Sequence, residues 1–169
     1  MNKKDKLYNV IFPVWFLWLV PPVIFVAALG NFVVDSVVLL LAYRLFIVGQ
    51  NSVGLWGLYR QSIIKVWLFG FLADFIGTIP LIGLVATGLF PLPYEVETAI
   101  MWNPWTNSAA LLIVFGCVVL AGALVFFFNN RFALKEVIPH QKERFKTAVL
   151  LAVLTAPYTL LLPTEWFYC

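Results

Sequence analysis

The chain has 169 residues, of which 63% are hydrophobic and 11% charged, and its mean hydropathy is +0.95. This small number of polar residues cannot cover the surface of a water-soluble protein of this size. The composition therefore excludes an ordinary soluble domain and indicates an integral membrane protein. The formal net charge of +3 does not indicate a nucleic-acid partner, because the basic residues flank apolar runs instead of lying on a soluble surface.

Five apolar stretches are long enough to be membrane spans, since a spanning helix needs about 20 mostly apolar residues. They cover residues 7–29, 32–48, 66–90, 107–128 and 147–162. The sequence therefore predicts an all-α, polytopic transmembrane helix bundle of five spans, forming a single domain over residues 1–169. Gly30 and Asn31 are predicted to form a tight turn between the first two spans. Residues 55–65 mix apolar and charged side chains and are predicted to form a short interfacial helix before the third span.

The basic residues all fall on one side of the membrane in this arrangement. They are Lys3, Lys4, Lys6, Arg44, Arg60, Lys65, Arg131, Lys135, Lys142, Arg144 and Lys146. The positive-inside rule then predicts a cytoplasmic (inner) membrane protein with its N-terminus inside and its C-terminus outside. Arg44, Arg60 and Lys65 are candidates for binding anionic lipid headgroups, and simple anchoring at the inner face is the alternative.

Asp74 is the candidate site residue that the prediction places nearest the middle of the membrane. It lies about eight residues, or ~12 Å, into the third predicted span, and Thr78 follows one turn later on the same face. An ionisable side chain at this depth costs a few kcal/mol or more, so it usually faces a partner or a water-filled cavity. Asp74 is therefore either a proton- or cation-binding carboxylate or a structural hydrogen-bonding partner, for example of Arg44 or an amide.

Asp35 and Asn31 form a second candidate pair, spaced four residues apart on one helix face. In the predicted arrangement Asp35 lies only ~6 Å from the outer end of its span. We therefore expect it to be solvated from outside, as one of the polar groups that open a helix near water. A contribution to an ion site is the alternative.

Prolines interrupt three of the predicted spans, at Pro21–Pro22, Pro80 and Pro157. Each removes a backbone donor and frees a carbonyl one turn earlier. Broken helices of this kind expose backbone to ions or solutes in many transporters, although an ordinary kink is the commoner case.

The sequence contains no catalytic motif, and His140 has no Cys, His or paired acid at ligand spacing. We therefore expect no enzyme activity, metal site or cofactor. The sequence favours a small membrane protein that binds or passes a small ion or solute, and the alternative is a non-catalytic subunit or accessory protein of a larger membrane complex. The expected partners are the lipid bilayer and either a second copy of the chain or another membrane protein.

Overall fold

The computed structural model describes residues 23–48, 54–86 and 91–167, which contain helices and no strands. The long helices are α1 (Val23–Ala42), α2 (Leu55–Ala86), α4 (Ser108–Phe128) and α5 (Gln141–Leu154), and a short helix α3 (Tyr94–Trp102) joins α2 to α4. Two π-helical turns, Tyr43–Ile47 and Asn129–Ala133, extend α1 and α4. Short 3-10 turns cover Pro104–Thr106, Tyr158–Leu161 and Thr164–Trp166. The predicted all-helical fold is confirmed.

Four stretches in the described part of the chain are long and apolar enough to cross a membrane. They are Val23–Ile47, Leu55–Val85, Ser108–Ala133 and Gln141–Leu161. The predicted count of five spans is not confirmed, because most of the first predicted span, residues 7–22 with Pro21–Pro22, lies outside the described residues.

The predicted turn at Gly30 and Asn31 is wrong, because both residues lie inside α1. Asn31 finds a tertiary partner there, since its side-chain amide donates to Asp74 Oδ2 on α2 at 3.3 Å. A polar group satisfied across the helix interface does not need a turn to reach water. The second span accordingly already includes Val23 and does not begin at residue 32.

The interfacial helix predicted over residues 55–65 is also wrong as a separate element. These residues form the first turns of α2, which continues without a break through Pro80. Its polar residues Arg60 and Gln61 are exposed, whereas Leu58, Ser62 and Ile63 are buried in the bundle. The amphipathic pattern therefore reflects one helix face packed on protein.

The fourth span agrees closely with the prediction because Asn107 caps it. The Asn107 side chain accepts hydrogen bonds from the backbone N–H of Ala109 at 2.9 Å and of Ala110 at 3.2 Å. The fifth span begins at Gln141, six residues before the predicted start, and its α-helix ends at Leu154. The rest of that span, to Leu161, is a bend at Pro157 followed by a 3-10 turn.

The four long helices close into a ring in the order α1, α2, α4, α5, and α5 packs back on α1. Consecutive members run in opposite directions, so the ends of α1 and α4 meet the beginnings of α2 and α5. Eight of the eleven basic residues belong to this end, and the ion pair of Lys65 with Glu136 at 3.0 Å joins α2 to the segment between α4 and α5. We call it the basic end.

The opposite end carries α3, and its charged residues in the described part of the chain are Glu95, Glu97 and Glu165. Val96, Ala99 and Ile100 of α3 are buried against Leu81 and Val114. Large apolar side chains such as Leu29, Leu112 and Val119 point outward from the ring and are more than half exposed. A surface of this composition suits lipid better than water.

Glycine and alanine set the distance between α2 and α4. A Cβ added to Gly77 would lie 2.6 Å from the Cβ of Ala121, closer than side-chain carbons approach in proteins. We therefore expect Gly77→Ala to push these helices apart and to lower the free energy of unfolding by about 1–3 kcal/mol. Unfolding in detergent micelles, followed by circular dichroism, measures this loss.

Gly116→Ala is the matched control for that substitution. Gly116 lies inside α4, and an added Cβ there meets no atom within 4 Å. The control should be neutral or slightly stabilising, because alanine favours helix by up to about 1 kcal/mol. Equal effects of the two substitutions would contradict the close approach at Gly77.

Candidate functional site: a buried carboxylate pair

Asp35 and Asp74 face each other across the α1–α2 interface inside the ring. Their exposed fractions are 3% and 7%, and the two carboxyl groups are near enough to repel each other when both are charged. No basic side chain in the described ranges forms an ion pair with either one. The ring therefore holds two acids near mid-depth without a counter-charge from these residues.

The position of Asp35 differs from the prediction. It lies twelve residues, or ~18 Å, before the end of the span Val23–Ile47 and beside Asp74, instead of lying near the outer end of a shorter span. Its burial contradicts the expected solvation from outside. The cause is the missing turn, since an uninterrupted α1 moves Asp35 away from the helix end. Asp74 lies about four residues, or ~6 Å, from the middle of Leu55–Val85 towards the acidic end, and so remains near mid-depth as predicted.

Small and polar neighbours make room for the two carboxyl groups. An added Cβ on Gly70 would lie 3.4 Å from Asp35 Oδ2, so the absence of a side chain there lets the carboxyl approach α2 closely. Asn31 donates to Asp74 Oδ2, whereas Asp74 Oδ1 is buried without a hydrogen-bond partner among the described residues. One oxygen of the pair is thus free to bind a ligand.

The third wall of the site is the broken end of α5. Thr155 is the C-cap of this helix; its hydroxyl donates to the Leu151 carbonyl at 2.9 Å and lies beside the Asp35 carboxyl group. The α-helix stops here because Pro157 cannot supply the next backbone donor. The Val153 carbonyl, one turn before the proline, instead accepts a hydrogen bond from the Tyr158 hydroxyl at 2.7 Å. The negative end of a helix dipole therefore meets two carboxyl groups.

Of the predicted site residues, Asn31, Asp35 and Asp74 come together, and Thr78 does not join them. The Thr78 hydroxyl donates to the main-chain carbonyl of Asp74 at 2.8 Å instead of to its carboxyl group. The sequence analysis missed Thr155 altogether. The available signal was its place two residues before Pro157, since residues that precede a helix break line sites in many transporters.

Arg44, Arg60 and Lys65 all lie at the basic end, far along their helices from the acid pair. Arg44 and Arg60 are exposed, and Lys65 is paired with Glu136. Such surface pairs contribute little to stability, so Lys65 remains available to other anions. Anionic lipid headgroups stay a prediction for these three residues.

A scan against protein-family models, a search of curated proteins and a search of solved structures each found no match to this chain. Among the described residues, no group of three or more His, Cys, Asp or Glu side chains could hold a metal ion.

A double-mutant cycle tests the hydrogen bond from Asn31 to Asp74. Hydrogen bonds to charged groups contribute about 1.5–3 kcal/mol, so Asn31→Leu should lower the free energy of unfolding by about that amount. In an Asp74→Leu background the same substitution should have little effect. Unfolding in mixed micelles of dodecyl sulfate and a mild detergent gives the four free energies.

Ser62→Ala supplies the control cycle with Asn31→Leu. The Ser62 hydroxyl donates to the Leu58 carbonyl of its own helix, and Ser62 lies eight residues before Gly70 on α2. The effects of this pair should add. Additive effects for Asn31 and Asp74 as well would refute their contact.

Proposed function

We propose that this protein binds a small inorganic cation, the proton included, at Asp35 and Asp74 and passes it across a membrane. The supporting observation is a pair of buried carboxyl groups, with no basic partner in the described residues, beside the broken end of α5. A buried ionised carboxylate is stable only when it is paired with a positive charge, which a proton or a bound cation supplies. Anions and electron-rich solutes are disfavoured at such a site.

The oxygen atoms at this site are suitable ligands for small cations. Carboxylate, hydroxyl and carbonyl oxygens bind hard cations, and carboxyl groups also accept protons. The C-terminal end of a broken helix adds negative potential, an arrangement that transporters use for sodium ions and protons. Asp74 Oδ1, Asp35 and the Thr155 hydroxyl would bind the cation, and Asn31 would orient Asp74.

An accessory subunit has less support from the packing. The small residues that could have formed a docking stripe for another protein, Gly70, Ala73 and Gly77 on α2, are buried inside the ring. On α4, Ala121 packs on Gly77, and Gly122 faces the Ala152 carbonyl of α5. These contacts hold the chain together, whereas Gly116 and Ala123, also small residues of α4, stay exposed.

Asp74→Asn and Asp35→Asn test the transport role directly. Each amide keeps the shape of the side chain but removes a negative charge, so cation flux into reconstituted vesicles should fall at least about tenfold. Separate gradients of protons, sodium and potassium identify the ion. Flux is followed with a dye specific for each one.

Glu95→Gln is the control because it removes an exposed carboxylate at the acidic end. Its flux should equal that of the unmodified protein. The proposal fails if the unmodified protein passes none of the three ions, or if Asp74→Asn passes them at the original rate.

We also propose that the protein lies in a cytoplasmic (inner) membrane, with the basic end facing the cytoplasm and the acidic end facing outside. Single cysteines introduced at Lys135 and Glu97, in a background with Cys117 and Cys169 changed to serine, report the orientation. Only the cysteine at position 97 should react with a membrane-impermeant maleimide added to intact cells. Reaction at position 135 alone would reverse the orientation.

A further inference from the structure

Two further polar side chains lie deep in the ring and take no part in the acid pair. Asn129 and Thr147 are both 0% exposed. The Asn129 amide nitrogen donates to the Val125 carbonyl at 2.9 Å, but Asn129 Oδ1 and Thr147 Oγ1 have no hydrogen-bond partner within the described segments. Burying such an atom without a hydrogen-bond partner is unfavourable, so each of these oxygens favours a ligand.

These two side chains lie at nearly the same depth. A Cβ added to Gly122 on α4 would lie 3.5 Å from the Ala152 carbonyl on α5, which fixes the register of these antiparallel helices. Asn129 follows Gly122 by seven residues and Thr147 precedes Ala152 by five, so the two side chains lie within about one helical turn of each other. Both side chains lie closer to the basic end than the acid pair does.

Thr147 also lies in line with the acid pair. It is eight residues before Thr155, and Leu151 stands between them at a spacing of four, so the three residues share one face of α5. Thr147 is therefore ~12 Å from Thr155 towards the basic end. The hydroxyl groups of Thr155 and Thr147 thus lie at two depths of the ring interior, an outer level at the acid pair and an inner level nearer the basic end.

The π-helical turns give an independent indication at the inner level. Asn129 begins the turn Asn129–Ala133, and the turn Tyr43–Ile47 ends α1; both pack against α5, which begins at the same end of the ring. A π-helical turn is rare and often marks a functional site, because it displaces a backbone carbonyl from the regular helical ladder. Two of them surround the position of Thr147.

An apolar layer separates the two levels. Leu39, Val125 and Leu151 come from three different helices, are at most 1% exposed and belong to one packed cluster. Such a layer excludes water and hinders a bare ion, as hydrophobic constrictions do in channels. From the acidic end to the basic end, the ring interior thus contains the acid pair, then the apolar layer, and then the inner pair of Asn129 and Thr147.

We propose that Asn129 and Thr147 form a second cation-binding position, which exchanges the ion with the acid pair across the layer of Leu39, Val125 and Leu151. This proposal rests on the cation transport proposed above. Amide and hydroxyl oxygens are neutral ligands, so they bind the ion more weakly than two carboxylates and release it more readily. The inner position lowers the cost of the step between the acid pair and the basic end.

Thr147→Val tests the inner position with an almost isosteric side chain. Sodium, potassium and proton flux into vesicles should each be measured, and the flux of the transported ion should fall at least about tenfold. Asn129→Leu should have the same effect. The transported ion should still raise the thermal midpoint of both variants in detergent, because that stabilisation comes chiefly from binding to the intact acid pair.

Thr159→Val is the matched control, since Thr159 Oγ1 is also buried without a described partner but lies in the 3-10 turn near the acidic end. Its flux should be unchanged. Equal flux losses in Thr159→Val and Thr147→Val would refute the inner position, and so would unchanged flux in Thr147→Val and Asn129→Leu.

Leu151→Ser keeps the proposal falsifiable if the other variants fold poorly. A hydroxyl in the apolar layer should raise the flux several-fold, and an unchanged or lower flux in folded protein would refute the layer as the barrier. The two proposals fail separately. Loss of flux in Asp74→Asn with normal flux in the Thr147, Asn129 and Leu151 variants leaves transport standing and removes only the inner position.

Discussion

The demand for positive charge at two buried aspartates is the constraint on which the rest of the bundle interior depends. Asp35 and Asp74 lie on neighbouring helices, and the polar side chains found beside them are one amide and one hydroxyl. Those groups can orient the carboxyls but cannot neutralise them, so burial costs free energy until a proton or a cation arrives. A sequence selected for stability alone would place apolar residues here, since isosteric apolar groups often replace buried charges without loss. This cost of burying the pair is what supports the proposed cation site.

The packing around the pair follows from the same constraint. Gly70 leaves space for the Asp35 carboxyl, and Gly77 lets α2 approach Ala121 closely one turn beyond Asp74. Pro157 ends α5 beside Thr155, which would otherwise lie in a continuous helix with its backbone groups fully paired. The freed Val153 carbonyl accepts from Tyr158, so the break leaves that group satisfied while it brings a helix C-terminus to the acids. Three special residue types thus supply space, close approach and negative potential at one place.

The sequence predicted the class of fold and three of the four residues at the candidate site, Asn31, Asp35 and Asp74, but not their arrangement. The hydropathy pattern located α4 correctly, because its apolar run is continuous to Phe128 and Asn107 marks its start as the N-cap. It failed at α1, where Gly30 and Asn31 resemble a turn by local propensity and only the contact with Asp74 on another helix explains why they remain helical. The same error moved Asp35 to the membrane surface. Asp74 was recognisable because the cost of an acid in hydrocarbon is independent of its neighbours. Thr155 was not, since its hydroxyl is satisfied by the Leu151 carbonyl of its own helix, and only tertiary structure places it beside a distant carboxyl.

The two levels of the interior differ in a way that bears on the direction of movement. The carboxylates lie nearer the acidic end and the neutral amide and hydroxyl nearer the basic end, where eight cationic side chains create a positive potential. A cation entering from the acidic end meets increasing attraction as far as the acid pair and increasing repulsion beyond it. In the proposed route the inner oxygens would offset part of that repulsion at the point where the apolar layer ends. The basic residues would oppose release of the cation at the basic end, so the neutral inner ligands would matter most for that step.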